Sequence, residues 1–187
     1  MDKVVALGNA ACNVARSLQG LAPSIYETYY MDRDLDGQNC LNLPDYTEHE
    51  DYDRKDLGDY KSFLSGISGD KLLITSCGVI SGATLRIIEA MSPSDTVVLY
   101  LAPDRSTANK QELDRHKVVF GVLQELTRSG AIRDLISIDN QLVDKYCPNL
   151  TISKYHEKIN EYISTTLHWS NIFQNTNPIM KGNKWSE

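Results

Sequence analysis

The chain alternates short, unbroken apolar runs with longer stretches whose apolar residues recur at helical spacing. Lys3-Val4-Val5-Ala6-Leu7 reads as a strand buried on both faces, because no polar residue interrupts it. Gly8-Asn9-Ala10-Ala11-Cys12-Asn13 follows as a small-residue turn, and Val14, Ala15 and Leu18 then mark one side of a short helix. Residues 25 to 31, IYETYYM, have the β-branched and aromatic content of a second strand. Leu72-Leu73-Ile74 predicts another buried strand, and Cys77-Gly78-Val79-Ile80-Ser81-Gly82-Ala83 a second small-residue turn. From Thr84, the residues Leu85, Ile87, Ile88 and Met91 carry a helix. Residues 96 to 101, TVVLYL, form the most strand-like run and close at Ala102-Pro103.

A longer helix is predicted from Gln111 to about Ser129, with Val118, Val119, Val122, Leu123 and Leu126 as its apolar face and Gly130 as its C-cap. Leu135-Ile136-Ser137-Ile138 makes a last strand that ends at Asp139-Asn140. A final helix from about Ser153 to Trp169 presents Tyr155, Ile159, Tyr162, Ile163 and Leu167. This alternation predicts an α/β fold, a three-layer Rossmann-like sandwich on a mostly parallel sheet. One domain is expected over residues 3–173, followed by a polar tail over 174–187. Ligands of such sheets bind outside the carboxyl ends of the strands.

Composition narrows the field. The 25 acidic against 19 basic residues give a net charge of -6, and no basic cluster offsets it, so a nucleic-acid-coating surface is not expected. The cysteines Cys12, Cys40, Cys77 and Cys147 are widely spaced, which predicts reduced thiols in a cytosol. The opening MDKVVALG runs straight into a strand pattern, and no apolar run approaches the roughly 18 residues of a membrane span. A soluble, intracellular protein is the expectation.

Two loops invite closer reading. Asp32-Arg33-Asp34-Leu35-Asp36-Gly37 begins like a calcium loop, but its twelfth position is Leu43 where a bidentate Glu belongs, so it reads as a polar loop at a strand end. The acidic, tyrosine-bearing segment from Pro44 to Asp59 reads as a solvated surface loop or helix start, and residues 60 to 67 as a short amphipathic piece.

The two strand–turn–helix units carry the candidate chemistry. Glycine lets backbone approach an anion, and a helix start offers free N–H groups at the positive end of its dipole. Glycine turns after strands also occur in α/β proteins that bind nothing. Only Gly8 of the first turn is a glycine, so the dinucleotide fingerprint is absent. Ser81 and Thr84 are hydroxyls for a phosphate or metal, or residues that cap the first turn of the helix. Cys12 is a reactive thiol, or a small residue in a tight turn. His49, His116, His156 and His168 are scattered, and no nucleophile–base pair is evident for an enzyme acting on small molecules.

The order of these features resembles the N-terminal GTP-binding domain of the tubulin/FtsZ family, over about residues 3–173. VVALGNAACNVA is similar to the family's first phosphate loop, with Asn13 on its Asn. Met31-Asp32-Arg33-Asp34 lies where the family has an Asn-Thr-Asp-like turn, and SCGVISGATLRIIEAM where it carries G-G-G-T-G-[ST]-G before a helix. VVLYLAPDRS resembles the strand and proline before the ribose-side loop, placing Pro103 there, and Asn140 falls on the Asn of the next turn. In KYHEKINEYIS, Tyr155 and Asn160 fall near the residues that stack on guanine and read its edge. A core-facing Tyr155 and a merely exposed Asn160 are the plainer alternatives.

The resemblance implies a site for GTP or GDP built from Gly8, Asn9, Ala10, Ala11, Cys12 and Asn13, from Asp32 and Asp34, and from Gly78 through Thr84 (Val79, Ile80, Ser81, Gly82 and Ala83 included). Pro103, Asn140, Tyr155 and Asn160 would surround ribose and base. Magnesium would accompany a triphosphate near Asp32 or Asp34, and no protein-only metal site or catalytic residue is implied. The signature loop lacks most of its glycines, and the chain lacks the acidic pair that opens the family's second domain. It is therefore expected to have GTPase activity at most, weak or nil alone. Self-association or a place in a larger assembly is implied, in the cytoplasm or in a virion. The alternative is a degenerate structural subunit, of a filament or virion, that binds no nucleotide. Trp169 and Trp185 are candidate contacts, Trp185 the more suggestive because its tail is polar.

Overall fold

Successive residues of each strand point to opposite faces of one sheet, and both faces are covered. The computed structural model describes residues 1–139 and 154–175. Six strands, β1 (Lys3–Leu7), β2 (Glu27–Asp32), β3 (Cys40–Asn42), β4 (Lys71–Ser76), β5 (Thr96–Ala102) and β6 (Asp134–Asp139), pair in parallel in the order β3-β2-β1-β4-β5-β6. The helices are α1 (Asn9–Leu21), α2 (His49–Arg54), α3 (Tyr60–Ser65), α4 (Thr84–Ala90), α5 (Lys110–Arg128) and α6 (Tyr155–Asn175).

Val5, Leu7, Leu73, Val98 and Tyr100 enter the core beneath α2 to α5, whereas Val4, Ala6, Leu72, Ile74, Val97 and Leu99 enter the core beneath α1 and α6. Burial on both sides is why these strands read as unbroken apolar runs. The expected three-layer sandwich is observed, and its described strands are all parallel.

The chain adds β2 and β3 on one side of β1, then returns to add β4, β5 and β6 on the other. This leaves a topological switch point between β1 and β4, where the connections diverge and a crevice opens at the carboxyl edge. Among the described residues no helix is long and apolar enough to cross a membrane.

One expectation, the covered face of α5, needs correction, and the structure adds detail to two others. The segment 44–59, expected as a solvated loop or helix start, contains α2, whose Tyr52 is fully buried and donates its hydroxyl to the Pro44 carbonyl at 2.7 Å. The acidic side chains face outward, and the aromatic residue anchors the segment. On α5, Val119 and Leu123 are buried, but Val118 is 59% exposed and Val122 38% exposed, so the predicted apolar face is wider than the covered one. The helix expected from Thr84 is preceded by a 3₁₀ turn over Val79–Ala83.

Candidate functional site

The first turn is set by Gly8, at φ +87, a conformation that L side chains rarely adopt. Its N–H donates to the Met31 carbonyl at 2.9 Å, tying the end of β1 to the end of β2. No side chain caps α1, and no acidic residue stands in its first turn. The N–H groups of a helix's first turn have no intrahelical partner, and Asn9 and Ala10 are exposed at the crevice. Cys12 is buried beneath them, and burial, with the Asp32 carboxylate nearby, pushes its thiol up to about 12. It is therefore a packing residue rather than a nucleophile. Asn13 is half-buried and bonds to its own helix: its Nδ2 donates to Asn9 Oδ1 at 3.5 Å, and its Oδ1 accepts from Arg16 at 3.3 Å.

Asp32 closes β2 and is buried, its Oδ1 accepting the Arg33 N–H at 2.8 Å. Asp34 is exposed in a left-handed conformation, φ 54.

The second turn departs from a phosphate loop. Gly78 is exposed, and a Cβ there would meet only Ser76 Oγ, at 3.8 Å. The chain then coils: the Ser81 N–H donates to the Gly78 carbonyl at 3.1 Å, and the Ser81 hydroxyl to the same oxygen at 2.6 Å. Ile80 is buried, its Cβ 3.9 Å from where a side chain on Gly8 would begin, so it fills the space between the two turns. Gly82 faces elsewhere. A Cβ on it would lie 2.0 Å from the His49 carbonyl oxygen, so its glycine permits the close approach of α2. Thr84 shares a hydrogen bond with Thr75 at 3.1 Å, both buried. The capping reading of Ser81 and Thr84 is thus incorrect: no side-chain cap hydrogen bond starts α4, because the 3₁₀ turn supplies its preceding carbonyls.

α6 brings the remaining residues to the same edge. Asn171, near its end, exchanges hydrogen bonds with Met1 at 2.9 and 2.8 Å. Met1 lies at the amino edge of the sheet, so α6 starts some sixteen residues earlier, about 24 Å away, at the carboxyl edge. Ser17 and Ser164 bond at 2.9 Å midway. Asn13 and Asn160, each one turn before that pair, stand at the same level of two helices running side by side.

No family model and no curated protein matches the sequence. By structure the chain is similar to FtsZ from an M. jannaschii dimer (TM-score 0.72, 12% identity, 96% of this chain and 56% of that one). It is similar to TubZ of Clostridium botulinum phage c-st (0.68, 14%, 92% and 61%) and to CetZ from Methanosaeta thermophila strain DSM 6194 (0.66, 14%, 94% and 54%). The chain has the fold of the tubulin/FtsZ N-terminal domain. It spans 54–61% of the length of these three chains.

On this fold, the turns at Gly8–Asn13, Asp32–Asp34 and Gly78–Thr84 meet at the switch point, with Pro103 half-buried at the end of β5. Tyr155 is half-buried against the core beneath α1 and α6, which favours its core-facing reading, and Asn160 is half-buried. Asn140 and Trp185 lie outside the described residues. Trp169 is 53% exposed. Among the described residues no group of three His, Cys, Asp or Glu side chains converges as a metal site. The bulk of Val79 and Ile80 in the phosphate turn is visible in the sequence, but the role of Gly82 is not, because it depends on a neighbour distant in sequence.

Proposed function

We propose that this is a tubulin-like assembly protein that takes a guanine nucleotide, GTP or GDP, at the switch point and hydrolyses it weakly or not at all alone. The observation that carries this reading is the uncapped N-terminus of α1 behind Gly8, opening on the crevice opposite Gly78. Backbone N–H groups of residues 9–11 and the open face of Gly78 would hold the phosphates. Asn160 would address the base, with Pro103 on the ribose side, while Tyr155 packs against the core. Asn140 joins them on sequence grounds.

The donor set fits phosphate at the first turn and fits it poorly at the second, where Ile80 stands in the way. Asp32 and Asp34 would repel a bare triphosphate, and Asp32 or Asp34 would hold magnesium beside it. Bound there, magnesium supplies charge neutralisation for the phosphates.

Assembly is supported by α6, whose Tyr162, Trp169 and Phe173 are 38%, 53% and 77% exposed on one helix. A similar solved FtsZ is a dimer. A second reading, a structural subunit of a filament or virion without nucleotide, is favoured by Ile80, which packs against Gly8 where backbone would approach a phosphate.

The test is calorimetric titration with GTP, GDP and ATP, with and without magnesium. Guanine-selective, magnesium-dependent binding whose selectivity falls in Asn160→Ala supports the first reading. No heat with any nucleotide supports the second.

A further inference from the structure

We propose that the groove between α2, α4 and α5 is a docking site for a basic amphipathic helical segment of a partner protein. The groove encloses about 630 Å³ and lies on the face opposite α1 and α6. Its wall on α5 runs through Gln111, Arg115, Val118 and Val122, spaced i, i+4, i+7 and i+11, one face over about 17 Å of helix. Leu85 and Ile88 of α4, with Val79, form the apolar floor. Val118 and Val122 stay exposed, by 59% and 38%, although their neighbours Val119 and Leu123 are buried. An apolar trough about three turns long suits a helix presenting apolar anchors at i, i+4 and i+7.

The rim selects the charge of the occupant. Glu48, Glu50 and Asp53 line the α2 side, and among the described residues none of them has a salt-bridge partner. Asp114 lines the α5 side and meets only exposed Lys117, at 3.2 Å. Arg115 is the cation of the lining, and its Nε already donates to the Cys77 carbonyl at 3.0 Å. Lysines or arginines flanking the apolar anchors would answer these carboxylates.

His49 adds a specific point. Its Nε2 is buried without a hydrogen-bond partner, the one such side-chain atom among the described residues, and it belongs to the groove wall. Burial holds this imidazole below its ordinary range, and an occupant that displaces the wall around it would supply the partner its Nε2 lacks. This inference does not rest on nucleotide binding, although the groove shares Val79, Ser81, Gly82 and Thr84 with the second turn of the crevice.

The test is fluorescence anisotropy of a labelled Leu/Lys amphipathic peptide of about 12 residues, titrated with the full chain at low and moderate salt. A Leu/Glu counterpart serves as control. The basic peptide is expected to bind and the acidic one not. Val118→Ser/Val122→Ser, which keeps the net charge at -6, is expected to weaken binding about tenfold or more. Glu50→Gln/Asp53→Asn is expected to flatten the salt dependence. Both variants alter exposed residues, and circular dichroism checks their folding. Equal binding by wild type and Val118→Ser/Val122→Ser would mean attraction to the acidic surface at large and overturn the proposal, as would no binding. A wild-type dimer that dissociates in Val118→Ser/Val122→Ser would also overturn it, by making a second copy of the chain the occupant.

Discussion

Gly78 and Gly82 stand four residues apart in the same turn and answer to different physics. Gly82 has the His49 carbonyl where its Cβ would be, so Gly82→Ala must push α2 away and is expected to cost about 1–3 kcal/mol. Gly78→Ala enters open space at φ -65, which any residue adopts, and should change stability by less than about 0.5 kcal/mol. Urea denaturation of both variants checks the contrast. Sequence alone marks each as a glycine after a strand, and cannot separate them, because the neighbour that decides lies some thirty residues away.

Titration follows the same logic at half-buried His49 and buried His116. His49 and His116 both have their pKa lowered from 6.5, burial being the main cause in each. His116 also bonds through Nδ1 to the Tyr100 hydroxyl at 2.9 Å, in a stack with Phe120. Below 6.5 the unfolded chain takes up these protons more readily than the folded one. The contribution is therefore complete above about pH 6.5 and is lost as pH falls toward the folded values. The urea midpoint should decline between pH 7.5 and 5.5, and His49→Gln/His116→Gln should flatten the decline. Asp70 and Asp104, whose pKa values are lowered by their hydrogen-bond partners Arg133 and Ser106, act only in more acidic solution.

Among the elements, α5 shows what periodicity can and cannot reveal. Its observed span is shifted by one residue from the predicted 111–129, and Gly130 takes the positive φ expected just past its end. Its start is fixed by a capping box, in which the Asn109 side chain accepts the Glu112 N–H and the Glu112 side chain accepts the Asn109 N–H, both at 2.9 Å. Asn109→Ala is expected to cost about 1 kcal/mol in thermal or chemical unfolding. The covered width of the helix was not legible. Apolar spacing identifies a face, but the short α2 and α4 cover only part of it and leave Val118 and Val122 in water. The 3₁₀ turn before α4 was hidden for a related reason: its small residues suit a loop equally well, and the tie is broken by α2 packing on it. Arg86 secures that packing by donating to the α2 carbonyl of Tyr52 at 3.2 Å and to that of Lys55 at 2.5 Å.

At the scale of the molecule, the parallel three-layer sheet and the turns at its strand ends were legible, because buried parallel strands leave an unmistakable apolar signature; the strand order was not. Whether the crevice is open was partly legible: the bulk of Val79 and Ile80 shows in the sequence, but the burial of Ile80 beside Gly8 does not. The aromatic stripe on α6 carries a prediction at this scale. Sedimentation velocity should show concentration-dependent association, reduced in Trp169→Ser/Phe173→Ser, whereas a monomer at every concentration would remove the assembly part of the account. The central claim concerns the crevice itself, and Gly78→Val tests it most directly. That side chain enters open space in the fold but blocks the approach of a phosphate. GTP titrated with magnesium into wild type and Gly78→Val by calorimetry should bind the first and fail to bind the second, at equal thermal stability. Equal binding by both, or by neither, would contradict a nucleotide site at the switch point.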